Sequence, residues 1–164
     1  MKVLVTGATG FVGKTVTREL SSSYDVKALI RKNSKELPLN VEQIVVGDLC
    51  DLKLNDCGDL LKNAFKDIEV VVHTAARVHI MNDNAFNPLN EFRKVNRVAT
   101  MLLARLAAEC EVKRFIFLSS IKVNGEISLP GEPFTPNDVH VPSDPYALSK
   151  FEAEQDLLNL AKET

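Results

Sequence analysis

At 164 residues, 45% hydrophobic and 26% charged, the chain has the size and composition of one globular domain that can bury a core without disulfide or metal staples. Its formal net charge of -2 gives no basis for a nucleic-acid partner or an anionic membrane surface. No apolar run approaches the roughly 20 residues of a membrane span, and the chain starts directly on an apolar strand, so no signal peptide and no membrane partner are expected.

The first element is a short apolar run, Val3-Leu4-Val5, followed by Thr6-Gly7-Ala8-Thr9-Gly10-Phe11-Val12-Gly13. An amphipathic segment then opens with Val12, Val16 and Leu20 four apart, which predicts strand, glycine-rich turn and helix. Gly7 suits the tight turn, Gly10 a close approach of backbone to pyrophosphate, and Gly13 close packing of helix on sheet. The unpaired N–H groups of the first helical turn suit phosphate. The spacing Gly-x-x-Gly-x-x-Gly differs from the commonest dinucleotide fingerprint, and the alternative is a structural turn without a ligand.

Asp25–Ile30 reads as the second strand, ending at Arg31-Lys32-Asn33; a polar loop runs to Asn40, and Val41–Val46 is the third strand, closed by Gly47-Asp48-Leu49. Asp56–Phe65 is a short helix, and Glu69–Thr74 a fourth strand followed by Ala75-Ala76. After a polar loop comes the longest helix, Leu89–Cys110, with Phe92, Val95, Ala99, Leu102 and Leu106 as its apolar stripe and Val98, Met101 and Leu103 widening it. Arg114–Leu118 is the fifth strand, ending at Ser119-Ser120. A loop of about twenty residues, rich in Pro and Gly, leads to a last helix capped by Asp144 and started by Pro145. The fold expected is α/β: a Rossmann-type, doubly wound parallel sheet buried on both faces by helices, with right-handed crossovers. A dinucleotide would lie across the carboxyl ends of the strands, where Gly7–Gly13, Arg31, Asp48, Ala75, Ala76 and Ser120 gather.

Cys50, Cys57 and Cys110 lack metal-ligand spacing and fit reduced thiols in a cytoplasmic protein; His73, His79 and His140 are too scattered for a metal site, and none is assigned. Tyr146 and Lys150 are four apart on one helix face. A tyrosine titrates near about pH 10, and a neighbouring ammonium favours its phenolate. Tyr146 can then exchange a proton with a sugar or alcohol hydroxyl while hydride passes to or from a nicotinamide, and Ser120 can orient the substrate oxygen. Alone, Tyr-x-x-x-Lys is also what a solvated helix face looks like.

Together these motifs resemble the N-terminal part of an extended short-chain dehydrogenase/reductase of the nucleotide-sugar epimerase/dehydratase family, over essentially the whole chain. The resemblance implies that Gly7, Thr9, Gly10, Phe11, Val12 and Gly13 form the cofactor turn. It implies that Asp48, with Leu49, receives the adenine amino group, and that Thr74, Ala75 and Ala76 pass the middle of the cofactor. Asn96 supports the site, and Ser120, Tyr146 and Lys150 are the catalytic residues, the last two also touching the cofactor; counting back from Gly125 favours Ser120 over Ser119. The 4,6-dehydratases carry an Asp-Glu pair where Ile121-Lys122 stands here, so dehydration is not expected. Ser120-Ile121-Lys122-Val123-Asn124-Gly125-Glu126, with Ala75–His79 and Met81-Asn82-Asp83, is similar to 4-keto-sugar nucleotide reductases and C4-epimerases of surface-polysaccharide pathways.

The cofactor is NAD or NADP. NAD-specific members end the second strand in an acid, whereas here Ile30 is followed by Arg31, which can pair with a 2′-phosphate; NADP is therefore favoured over the alternative that Arg31 and Lys32 are surface charges. The resemblance further implies a UDP-sugar substrate, and a homodimer through the two long helices. It also implies a following strand and substrate-binding domain, absent here, so that the fifth strand is an exposed apolar edge and these residues alone turn over little or nothing. Two other readings stand beside this one: a dinucleotide-binding module without turnover, and an interaction domain that uses only the fold.

Overall fold

The computed structural model describes residues 1–52, 54–78, 86–138 and 140–164, with backbone only for 54–57. Five strands, β1 (Lys2–Thr6), β2 (Asp25–Ile30), β3 (Glu42–Val45), β4 (Val70–His73) and β5 (Arg114–Phe117), form one sheet in the order β3-β2-β1-β4-β5. Every pairing is parallel. The helices are α1 (Phe11–Ser21), α2 (Leu54–Phe65), α3 (Pro88–Arg93), α4 (Thr100–Glu109) and α5 (Pro145–Glu163). The strand order reverses between β1 and β4, so the crevice of an open α/β sheet falls outside the carboxyl ends of those two strands.

One face of the sheet presents Leu4, Leu29 and Val71 to Leu61, Phe65 and Ile68 and to Leu103, Leu106 and Ala107 of α4. Each such fully buried aliphatic or aromatic side chain contributes about 1.5–3 kcal/mol. The other face carries Val3, Val5, Val26, Ala28 and Ile30, closed by Leu37 and Val41, with Leu20 of α1 packed beside them. Burial on both faces therefore holds for β1 and most of β2. It fails for β5, where Ile116 is 44% exposed, and for β3, where no residue is buried. The fifth strand is the sheet edge, as expected.

Two helices differ from the sequence pattern. In α1 the buried line is Gly13, Thr17 and Ser21 rather than Val12, Val16 and Leu20. Small residues face the sheet because the glycine turn brings the helix too close for larger ones. The long helix runs continuously from Pro88 to Glu109, but Lys94–Ala99 is wound as a π-helix. The wider turn rotates the inward face, which runs through Phe92, Asn96, Ala99, Thr100 and Leu103; Val95 and Leu102 lie to its side. Asp144 caps α5 as expected, its Oδ1 accepting from the Ala147 N–H at 2.9 Å, with Pro145 in the first turn. Among the described residues, no helix is long and apolar enough to cross a membrane.

Candidate dinucleotide and catalytic site

A cleft of about 320 Å³ opens at the β1/β4 reversal, walled by Gly7, Thr9 and Gly10 on one side, Ile30, Arg31 and Asp48 on the second, and Thr74, Ala75, Ala76 and Arg77 on the third. Gly7 adopts φ +68°, the left-handed region that glycine enters without strain, and a Cβ there would lie 2.6 Å from the Ala75 nitrogen. The Gly10 N–H closes the turn onto the Gly7 carbonyl at 2.8 Å. Gly10 is also the N-cap of α1, and no side chain bonds to the first-turn amides. The Phe11, Val12 and Gly13 N–H groups thus have no intrahelical acceptor and sit at the positive end of the helix dipole. Gly13 has the tightest surroundings: its Cβ would fall 2.0 Å from the Gly7 carbonyl oxygen.

On the far rim, Asp48 faces Arg31 at 3.8 Å. The Cys50 backbone N–H, then the Cys50 thiol and the Arg31 guanidinium, hold the Asp48 carboxyl below its ordinary value. The same carboxylate and that of Asp51, after the larger effect of burial, push the Cys50 thiol up to about 11, so it is not a thiolate at neutral pH.

At the end of β4, His73 is fully buried between two threonines, with Nδ1 2.7 Å from Thr6 Oγ1 and Nε2 2.9 Å from Thr100 Oγ1. Burial, and secondarily the Lys150 charge, lower its pKa to about 3, so the ring is neutral. Thr6 Oγ1 also accepts the Ala75 N–H at 3.4 Å. This chain of bonds ties the loop after β4 to β1 and to the first turn of α4. Thr74 Oγ1 adds a bond to the Thr6 carbonyl at 2.7 Å.

Asn96, buried in the π-helical segment, uses its whole amide. Its Oδ1 accepts the Arg77 N–H at 2.8 Å, and its Nδ2 donates to the Arg77 carbonyl at 3.0 Å and to Ser149 Oγ at 2.9 Å. One side chain therefore fixes the loop after β4 and the face of α5 together. Arg93 and Arg97, on the same long helix, pair with Glu152 and Asp156 of α5 and hold the two helices in register.

Lys150 is 1% exposed. Its Nζ donates to the Leu118 carbonyl at 2.7 Å and lies 3.8 Å from the centre of the Phe117 ring. Burial lowers its pKa to about 8, with Glu154 opposing. Tyr146, one helical turn earlier, packs edge-on against Phe92, whose ring also underlies the Arg77 guanidinium. Ser120 follows Leu118 by two residues, and its Oγ caps the short turn Ile121–Val123 by accepting from the Lys122 N–H at 3.3 Å.

Of the residues singled out from sequence, Gly7, Thr9, Gly10, Arg31, Asp48, Leu49, Thr74, Ala75 and Ala76 line the cleft. Phe11 (96% exposed), Val12 and Gly13 are not among the residues that wall it; Gly13 packs against the Gly7 turn. Asn96, Ser120, Tyr146 and Lys150 lie outside its walls, gathered where the long helix, α5 and the end of β5 meet. His79 and Met81-Asn82-Asp83 lie outside the described residues. Sequence reasoning missed Thr6, Thr100, Ser149 and Phe117. Their partners are distant in the chain, and only the position of Thr6 and His73 at matching strand ends hinted at the first pair.

This geometry defines a Rossmann-type unit: a five-stranded parallel sheet with a glycine-walled cleft at the point where the strand order reverses. The chain belongs to the NAD dependent epimerase/dehydratase family, whose sequence profile matches residues 3–164. It is 43% identical to a UDP-glucose 4-epimerase of Vibrio cholerae over 99% of its own length and 48% of that protein's. It is 30% identical to the dTDP-D-glucose 4,6-dehydratase of Mus musculus, over 93% of this chain and 44% of the other. The chain thus spans about half the length of the curated relatives it matches. Among solved structures, MoeE5 in complex with UDP-glucuronic acid and NAD superposes with a TM-score of 0.78 at 30% identity, covering 98% of this chain and 50% of that one. The UDP-glucose 4-epimerase of Thermotoga maritima shares the fold, with a TM-score of 0.82 at 24% identity over 99% of this chain and 52% of its own.

Proposed function

We propose that this chain is the NAD(P)-binding half of a nucleotide-sugar C4-epimerase or 4-keto-sugar nucleotide reductase acting on a UDP-sugar, in the cytoplasm and in the service of surface-polysaccharide synthesis. The observation that carries the reading is the buried Lys150 ammonium, bonded to the Leu118 carbonyl beside Ser120 and one turn from Tyr146, next to the glycine-walled cleft. The dinucleotide would be held by Gly7, Thr9, Gly10, the amides of Phe11, Val12 and Gly13, Asp48 with Leu49, and Thr74–Ala76, and when bound it supplies the acceptor and donor of hydride at sugar C4. Tyr146 takes and returns the proton of the C4 hydroxyl. Lys150 places a positive charge one helical turn from Tyr146, and Ser120 orients the substrate oxygen. Asn96 keeps the Tyr146 helix in place through Ser149, whose Oγ donates to the Tyr146 carbonyl at 2.7 Å.

Lys122 supports epimerase or reductase chemistry over dehydration. It stands in the loop after β5, 3.6 Å from Glu126 and 4.0 Å from Asp144, and Ile121-Lys122 offers no carboxylate for an elimination. These 164 residues alone are read as binding cofactor without turnover. Two copies are read as pairing through the long helix and α5, where Val98 and Leu158 remain exposed.

Full-length protein incubated with UDP-sugars and cofactor is expected to interconvert C4 epimers or to reduce a 4-keto sugar; inertness toward every UDP-sugar would defeat the reading. NADP is favoured because Arg31 is 75% exposed at the ribose end of the cleft and β2 ends in Ile30 instead of an acid. Arg31→Glu should weaken NADPH at least about tenfold while sparing NADH, since one charge-assisted contact is worth about 1.5–3 kcal/mol. Equal losses for both cofactors would mean that Arg31 does not read a 2′-phosphate.

A further inference from the structure

The mechanism asks Lys150 to be charged, yet the same side chain is almost wholly removed from water. An ammonium has three protons to satisfy, and among the described contacts it has one acceptor, the Leu118 carbonyl at 2.7 Å. Its second contact is the Phe117 ring, whose centre lies 3.8 Å from Nζ, well inside the range over which an aromatic face attracts a cation. That ring does not stand alone. Phe117 pairs with His73 in the β4–β5 register, and the imidazole lies 5.9 Å away and nearly parallel, its planes 15° apart. The Thr6 and Thr100 bonds fix the imidazole at both nitrogens, so the ring beneath the ammonium is itself braced.

We propose that Phe117 is a positioning residue of this site: its ring face, with the Leu118 carbonyl, holds the Lys150 ammonium at the end of β5 and keeps it charged there. Phe117 acts through Lys150, and its relevance to turnover rests on the role given to Lys150 under Proposed function. The groups that face the ammonium are few. Glu154, on α5 itself, favours the charge, and His73 on β4 disfavours it only in its charged form, which burial suppresses. Tyr146 on α5 is the proton-exchanging partner. With burial pulling the lysine down to about 8, the margin that keeps it protonated at neutral pH is small, and a contact at the strength of a buried cation–π pair decides it.

The test is a pH titration of Lys150 by NMR, using the 164-residue chain labelled with ¹³C at lysine Cε. Three changes at position 117 are compared: Phe117→Leu, Phe117→Tyr, and replacement by 3,4,5-trifluorophenylalanine, which keeps the shape of the ring but strips its face of negative potential. The Lys150 midpoint is expected to fall by about one pH unit in the leucine and trifluoro forms and to stay put in the tyrosine form. The trifluoro form preserves packing, so a shift there cannot be a folding defect. A trifluoro form that titrates as the wild type does, or a tyrosine form that shifts as leucine does, overturns the proposal. This readout needs no substrate. Failure of full-length protein to turn over a UDP-sugar would therefore defeat the proposed function while leaving the Phe117–Lys150 pairing to be judged by the titration.

Discussion

Alanine at Gly13 is expected to destabilise the chain by about 3 kcal/mol or more and to abolish dinucleotide binding in whatever fraction still folds. The added Cβ would stand 2.0 Å from the Gly7 carbonyl oxygen, 2.7 Å from its carbon and 2.8 Å from Thr74 Oγ1. The first two are backbone atoms of the turn, and Gly7 itself sits in a tight place, where even a Cβ would fall 2.6 Å from the Ala75 nitrogen. Relief therefore requires α1 to lift from the sheet, which carries its first-turn amides away from the cleft. A stability of about 5–15 kcal/mol is all a domain of this kind has to lose. Gly47→Ala is the control. Gly47, unlike the helical Gly13, has a positive φ, +77°, but nothing lies within 4 Å of its would-be Cβ, so the change should cost only the left-handed strain of about 1–2 kcal/mol. Urea unfolding of both variants checks the contrast. A Gly13→Ala midpoint equal to that of Gly47→Ala would mean that α1 does not pack tightly on the turn.

Lys150→Met is expected to do the opposite: to stabilise the fold at neutral pH while removing activity from the full-length protein. The lysine ordinarily titrates at 10.5 and is lowered to about 8 in the fold. Between those values the unfolded chain binds more protons than the native one, so stability rises with pH across that window, and below about 8 the full burial cost is present. That cost is about 3 kcal/mol. The methionine escapes it but leaves the Leu118 carbonyl without its donor, which returns about 1–2 kcal/mol. The net gain at pH 7 is then about 1–2 kcal/mol, and it should be gone by pH 10.5, where the wild-type lysine is neutral in the fold and only half protonated in the unfolded chain, so almost no burial cost remains. His73 acts at the acid end in both proteins. Its folded pKa of about 3 lies below the ordinary 6.5, so stability falls as pH drops from 6.5 toward 3. Denaturant midpoints of both proteins between pH 4 and 10.5 check the scheme: a somewhat shallower acid limb in the methionine protein, which lacks the Lys150 charge beside His73, and curves that converge as the pH rises toward 10.5. A methionine variant less stable than wild type at pH 7 would contradict it.

Much of this was legible before any coordinates, for reasons tied to local chemistry. Glycines between an apolar run and an amphipathic segment specify a strand–turn–helix with little freedom, and Asp144-Pro145 announces a helix start through a side-chain acceptor and a fixed φ. The β-branched runs located all five strands to within a residue or two, because a parallel sheet demands them. The inward faces of the helices were less accessible. In α1 the apolar trio Val12, Val16 and Leu20 is displaced by Gly13, Thr17 and Ser21, since close packing on the turn rewards smallness over apolarity. In the long helix the π segment at Lys94–Ala99 shifts the stripe, and nothing in residue spacing encodes an extra residue in one turn. Asn96 accounts for it physically: the polar side chain turns inward to clamp Arg77 and Ser149. The buried polar chain through Thr6, His73 and Thr100 joins residues 67 and 27 positions apart, which only the tertiary fold brings together. Resemblance supplied roles for Ser120, Tyr146 and Lys150 but not the Leu118 carbonyl and Phe117 ring that hold the lysine.

The glycine-walled cleft between β1 and β4 is proposed to bind a dinucleotide. Isothermal titration of the 164-residue chain with NADPH and with NADH tests it most directly. Saturable binding of one cofactor per chain is expected, tighter for NADPH and lost in Gly13→Ala. No saturable binding of either cofactor by the folded wild-type chain would contradict it.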